Sequence, residues 1–302
     1  MKIIFMGTPD YASTILSDML KTDDIEVMAV YTQPDKPVGR KKVLTPPPVK
    51  VVAEEHNINV YQPHKLRDEE VINQLKYIEC DFIVVAAYGQ ILPQPVLDHA
   101  PCINLHASIL PQYRGASPIQ QSLLNGDTKS GVTAMLMDVG LDTGDILKIE
   151  EVAIADDEMV ESLFNKLTQT ASLLTLDVLR TFHEITPVPQ DNADATHCKK
   201  ISKEHGEVIF DDAEELYNKY RAYTPWPGVY LNSGLKLKKI ILEEIDSANA
   251  AGKILSYDKE SCVIGCSKGS IRLYAVQPPS KKEIKIFDYI NGKRLSLEDT
   301  LA

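Results

Sequence analysis

The run Phe82-Ile83-Val84-Val85-Ala86-Ala87 is apolar without interruption. A strand lacking polar alternation must be covered on both faces, which places it inside a mostly parallel sheet flanked by helices. The surrounding sequence supplies those neighbours. Residues 2–6 form a first apolar run, halted by Gly7-Thr8-Pro9-Asp10, after which Ile15, Leu16, Met19 and Leu20 recur at helical spacing. Strand signals at 25–31, 59–61, 102–106, 132–137 and 146–154 alternate with helical patterns at 68–77, 116–124 and 158–183. The longest apolar stretch, 82–88, is far shorter than the roughly 18 residues of a membrane span.

A chain of 302 residues suits two domains of roughly 100–200 residues each. Hydrophobic content of 44% and charged content of 25% are ordinary for a globular protein and exclude disorder or a fibre. Between 186 and 205 the prolines, Gln190, Asp191, Asn192 and Asp194 follow no period, and a linker is expected there. Beyond it, one helix (211–222) precedes short strands at 235–242, 252–256, 261–266 and 270–276, a spacing that predicts a small barrel of the oligonucleotide-binding (OB) type. The expected organisation is therefore an α/β, Rossmann-like domain over 1–185, a linker over 186–205, and an OB-like β-barrel domain over 206–302. The amino terminus enters a strand directly and has no signal-peptide pattern, so a cytoplasmic location is expected. The five cysteines lack metal-ligand spacing and read as reduced thiols, and no metal is expected.

The net charge of −11 opposes non-specific binding to nucleic acid, which depends on lysine and arginine displacing counterions. Yet the charge is segregated. From 34 to 50 five basic residues face a single acid, whereas from 138 to 161 nine acids face one lysine. From 230 onward twelve basic residues face nine acids. A polyanion could meet one face only. The 33–50 segment also holds five prolines, and an insertion of that length within a sheet domain is commonly functional.

Chemistry is concentrated at Asn104-Leu105-His106, where an apolar strand runs into a polar loop. Alternation along the strand sends Asn104 and His106 to the same side. Asp142 stands between glycines in the loop 140–145. If that loop folds back, a donor, a proton acceptor and an orienting carboxylate converge, as acyl-type transfer requires. Taken singly, an Asn at a strand end caps a turn and an Asp among glycines closes an Asx turn. By contrast, Gly7-Thr8-Pro9-Asp10 lacks the repeated glycines of a dinucleotide fingerprint, and Thr8 or Asp10 is expected to cap the first helix.

With these residues assembled, the whole chain resembles the methionyl-tRNA formyltransferases. The marks are Asn104-Leu105-His106-Ala107-Ser108-Ile109-Leu110-Pro111, Tyr113-Arg114-Gly115-Ala116-Ser117-Pro118-Ile119-Gln120 and Met137-Asp138-Val139-Gly140-Leu141-Asp142-Thr143-Gly144-Asp145. Thr32-Gln33-Pro34-Asp35-Lys36-Pro37-Val38-Gly39-Arg40 and Pro225-Trp226-Pro227-Gly228 add to them. The Asn-x-His with its distant Asp is shared with all folate-dependent formyltransferases; the 33–50 segment and the carboxyl-terminal domain resemble the tRNA enzymes in particular. Ile109 departs from the usual leucine by a near volume-conserving change.

The resemblance implies formyl transfer from 10-formyltetrahydrofolate to the α-amine of initiator methionyl-tRNA; separately, a monomer is expected. It implies that Asn104 and protonated His106 stabilise the oxyanion while Asp142 holds His106 and helps relay the proton. It places the folate against Tyr88, Gly89, Ile91 and Leu92, against Ser108, Ile109, Leu110 and Pro111, and against Val139, Gly140 and Leu141. Arg40, Lys41 and Lys42 would meet the tRNA, with Arg40 at the top of the acceptor stem. Two competing readings are formyl transfer to a small amine such as an amino sugar nucleotide, which leaves the basic segment without a task, and an RNA-binding protein without turnover.

Overall fold

The computed structural model describes residues 1–39 and 41–301. In chain order, the first part comprises β1 (Lys2–Gly7), α1 (Asp10–Met19), β2 (Glu26–Tyr31), β3 (Lys36–Val38), β4 (Val43–Thr45), α2 (Pro48–Glu55), β5 (Val60–Tyr61) and α3 (Glu69–Lys76). Then come β6 (Phe82–Ala86), α4 (Gln94–Leu97), β7 (Cys102–His106), β8 (Arg114–Gly115), α5 (Pro118–Leu124), β9 (Lys129–Leu136), β10 (Ile146–Ala153), α6 (Val160–Thr181) and β11 (His197–Cys198). The remainder holds α7 (Ala213–Tyr223), β12 (Val229–Tyr230), β13 (Lys236–Glu244), β14 (Ile254–Tyr257), β15 (Cys262–Gly265), β16 (Ser270–Gln277), β17 (Ile284–Lys285) and α8 (Ile286–Lys293).

Two compact units result. The first gathers Met1–Pro118, Lys129–Ala153 and Phe164–Cys198; the second gathers Ile119–Thr128, Ile154–Leu163 and Lys199–Ala302. Residues 186–198, read from the sequence as the start of a linker, lie inside the first unit and carry hydrogen bonds there. Val188 pairs with Ile146, and β11 pairs with β8.

The first unit is built on a sheet of seven strands among the described residues, in the order β10-β9-β7-β6-β1-β2-β5. The pairs β2–β5, β1–β2, β1–β6 and β6–β7 are parallel, while β9 and β10 run antiparallel at one edge. Every residue of β6 is buried, as expected of a central parallel strand. On one face Ile4, Met6, Ala29, Tyr31, Ile83, Val85 and Cys102 join Leu75 of α3 and Val96 of α4 in a single apolar cluster. Chain order reverses between β1 and β6, so the crevice expected to hold ligands in such sheets opens at their carboxyl ends.

Two local expectations are corrected. Neither Thr8 nor Asp10 caps α1: its N-cap is Pro9, and the Thr8 hydroxyl donates instead to the Tyr88 carbonyl at 3.0 Å, a group of the neighbouring loop that needs a donor. Within 33–50, Lys36–Val38 and Val43–Thr45 pair as β3 and β4 where a loop is expected, and α2 starts at Pro48, since proline's missing N–H costs nothing at the first helical position.

The second unit contains an antiparallel sheet ordered β12-β13-β16-β15-β14, with β17 added on β16. Register shifts interrupt the pairing of β13 with β16, as bulges do, and the antiparallel sheet is consistent with a partly open OB-type barrel. Its core is formed by Leu237, Ile240, Ile264, Ile271 and Leu273 with Leu216 of α7 and Ile286 and Ile290 of α8. The helix α8 carries no expectation from the sequence; Ile286 and Ile290 fall four apart and bury on the sheet.

Candidate active site

Asn104 and His106 occupy the last turn of pleat of β7, both buried (9% and 6% exposed). Among the described residues the Asn104 amide has no hydrogen-bond partner, leaving its donor available. His106 is held differently. Its Nε2 lies 3.0 Å from the Tyr113 carbonyl oxygen, and because a carbonyl only accepts, Nε2 carries the proton. Nδ1 is then the nitrogen able to exchange a proton. It faces Asp142 Oδ1 at 3.7 Å, an ion-pair distance when the ring is protonated but too long for a hydrogen bond. The Tyr113 carbonyl thus holds the ring through Nε2, and the Asp142 carboxylate lies at ion-pair distance from Nδ1.

Asp142 is itself anchored. The Gly115 N–H donates to its Oδ2 at 2.8 Å, which leaves Oδ1 turned to the imidazole. The anchor requires glycine at 115: its φ is +119° and a Cβ there would lie 2.4 Å from the Cys198 carbonyl oxygen on β11. Gly144 is required for a different reason, since a Cβ would sit 1.7 Å from the Leu136 carbonyl. Behind the site, Arg114 is 3% exposed and donates to Gln190 and Asn192. Neither amide is marked by any local sequence pattern. Arg114 was visible within a motif, but its role was not.

Of the residues expected at the folate, Ser108 to Pro111 follow β7 directly. The Thr133 hydroxyl donates to the Ser108 carbonyl at 2.7 Å and accepts from the Leu110 N–H at 3.1 Å, while the Ser108 hydroxyl is engaged with the Gln112 carbonyl. Ile91 (76% exposed), Val139 and Leu141 present apolar side chains to solvent, and Gly89 and Gly140 are exposed beside them. Tyr88 and Leu92 point elsewhere: both side chains are buried in the apolar cluster of the sheet, so the Tyr88 contribution at this loop is its carbonyl, fixed by Thr8 and by Gln33. On the β3–β4 hairpin Lys41 and Lys42 are exposed, with exposed Val38, Val43 and Leu44 nearby. Arg40 lies outside the described residues.

A family model for formyl transferase matches residues 1–179, and one for the formyl transferase C-terminal domain matches 200–294. The methionyl-tRNA formyltransferase of Sulfurimonas denitrificans is 63% identical over 302 residues, with 100% of both chains covered. That of a Nitratiruptor species is 55% identical over 302 residues, with 99% of each covered. Among solved structures, an N-formyltransferase from Helicobacter canadensis, complexed with folinic acid and dTDP-3-aminofucose, has a TM-score of 0.67 at 19% identity. That alignment covers 90% of this chain and 98% of the other, and at such identity the likeness is one of fold. Matched over 99–100% of its length by these relatives and over most of it by the two family models, the chain belongs to the methionyl-tRNA formyltransferases.

Proposed function

We propose that the chain transfers the formyl group of 10-formyltetrahydrofolate to the α-amine of initiator methionyl-tRNA, giving N-formylmethionyl-tRNA and tetrahydrofolate. One N–C bond forms and another breaks. The proton lost by the attacking amine balances the one gained by the folate nitrogen that leaves, so one relay group can serve both events. His106 fills that role through Nδ1, Asp142 stabilises the imidazolium, and the Asn104 amide stabilises negative charge gathering on the formyl oxygen. A preorganised donor of that kind is worth about 2.7–4 kcal/mol. The observation that carries this reading is His106 Nδ1, facing the Asp142 carboxylate at 3.7 Å beside the Asn104 amide, which has no hydrogen-bond partner among the described residues.

The folate fits the exposed rim. Ile91, Val139 and Leu141 are apolar and open to solvent, and the pinned backbone of Ser108, Ile109, Leu110 and Pro111 offers rigid recognition. Small and apolar groups around a crevice suit a flat heterocycle. For the tRNA, Arg40, Lys41 and Lys42 meet the acceptor end, and exposed Val38, Val43 and Leu44 support contact with a partner there. Residues 1–185 perform the transfer, and 206–302 hold the RNA, where β13 carries Lys236, Lys238 and Lys239. The enzyme acts as a monomer, in the cytoplasm where charged initiator tRNA is found.

The test is incubation with 10-formyltetrahydrofolate and either methionyl-tRNA or an amino sugar nucleotide, scoring formylated product. Formylmethionine released from the tRNA is expected. Formylation confined to the small amine would replace this reading. Arg40→Ala is expected to raise the KM for tRNA while leaving folate binding unchanged.

A further inference from the structure

The turn that carries Asp142 is held from a distant part of the chain. Arg114 has donors only, so the Gln190 atom it meets through Nε at 3.0 Å and Nη2 at 2.8 Å is Oε1. That orients the amide. Its nitrogen must face the opposite way, where it donates to the carbonyls of Asp142 at 3.0 Å and Gly144 at 2.7 Å. Arg114 cannot turn aside readily: it is buried, and Nη1 donates to Asn192 at 2.9 Å. A hydrogen bond to a cation is roughly twice as strong as a neutral one, and it polarises the amide into a better donor. Asp142 has φ +55°, a region uncommon for residues other than glycine. Asp138 braces the turn from within by accepting from the Gly140 N–H and the Thr143 hydroxyl, and Gln190 adds support from outside at Asp142 and Gly144.

We infer that Gln190 is a positioning residue for formyl transfer, with Arg114 behind it, fixing the Asp142 backbone so that its carboxylate stays opposite His106. The inference rests on the proposed function and adds to it a segment, 186–198, that reads in the sequence as linker. The mechanism predicts sensitivity to small movements, because a misplacement of about 1 Å from a site remote from the chemistry can cost about 100-fold in rate.

Gln190→Glu tests it with little change of shape. A carboxylate keeps the partner for Arg114 but turns an oxygen toward two carbonyl oxygens, so only the link to the turn is lost. Gln190→Met removes the donors without adding charge. Single-turnover formylation by the full-length variants should show kcat lower by about 10- to 100-fold, with the KM for methionyl-tRNA unchanged. In an Asp142→Asn background the same changes should cost little more, because residues acting through one another are not additive. Wild-type kcat in both variants would overturn the inference, as would equal losses in both backgrounds. Gln190 is only half-buried, so loss of folding in both variants would also overturn it by showing a structural role. Should the wild-type chain fail to formylate methionyl-tRNA, the proposed function falls on its own. Amide hydrogen exchange over 138–145 then decides the inference: faster exchange in Gln190→Glu supports it and unchanged exchange overturns it.

Discussion

Replacing Asp142 by Asn isolates the charge at the proposed site. The substitution preserves volume and still offers an oxygen to the Gly115 N–H, so the turn keeps its anchor. What disappears is the attraction between a carboxylate and a protonated ring 3.7 Å away, with side chains only 7% and 12% exposed. At an effective dielectric of about 20 that attraction is about 4 kcal/mol, and in bulk water it is about 1 kcal/mol. The open rim puts the true value between these limits. A loss of 1–4 kcal/mol corresponds to roughly 5- to 1000-fold in rate, and it should appear in kcat because the imidazolium is generated during transfer. Single-turnover formylation at saturating methionyl-tRNA and 10-formyltetrahydrofolate measures it, with thermal melting as the control for folding. Turnover within twofold of wild type, at unchanged stability, would refute the electrostatic role.

Gly115→Ala should destabilise the first unit by about 3 kcal/mol, combining a strained φ with displacement of β11; an unchanged urea midpoint would contradict the close approach to Cys198. Asp212 caps α7 by accepting from the Glu214 and Glu215 N–H groups, so Asp212→Ala should cost about 1 kcal/mol at neutral pH. The Lys268 ammonium beside it holds the Asp212 carboxyl below its usual 3.8. The cap's contribution is therefore complete above pH 3.8 and fades as acid protonates the folded form, and a gap between wild type and variant that widened below pH 3.8 would be inconsistent with this. Burial pushes the thiols of Cys102, Cys262 and Cys266 up to about 12 and that of Cys80 to about 11. Thiol-specific reagents at pH 8 should accordingly label the native protein slowly and the denatured protein fully, and rapid native labelling at any of these four would run against that burial.

Patterns with a short range were legible from residues alone. The unbroken apolarity of 82–87 marked a strand covered on both faces, and the alternation from Asn104 to His106 put an amide and an imidazole on one side of a strand. Ile15, Leu16 and Met19 likewise announced a helix through their spacing. Each depends on the period of a single element, which the sequence carries locally. The 33–50 segment was harder because its prolines suit both a loop and a helix start, and the choice depends on which N–H groups would otherwise go unpaired. Thr8 illustrates the same limit: its hydroxyl could serve its own helix, but a carbonyl from position 88 claims it.

Composition and periodicity thus pointed to the parallel sheet and to the division into a larger α/β portion and a smaller β-rich one, while the resemblance carried by its motifs singled out the three residues proposed for the chemistry. Tertiary structure alone decided how those three are held. The Tyr113 carbonyl selects the tautomer of His106, the Gly115 N–H turns one Asp142 oxygen toward it, and Gln190 with Arg114 supports the turn from some fifty residues away. Apart from the Arg114–Gln190 contact, each joins a side chain to a backbone group elsewhere in the chain. Every residue carries such backbone groups, so their pairing leaves no mark on residue type and exists only once the chain has closed on itself.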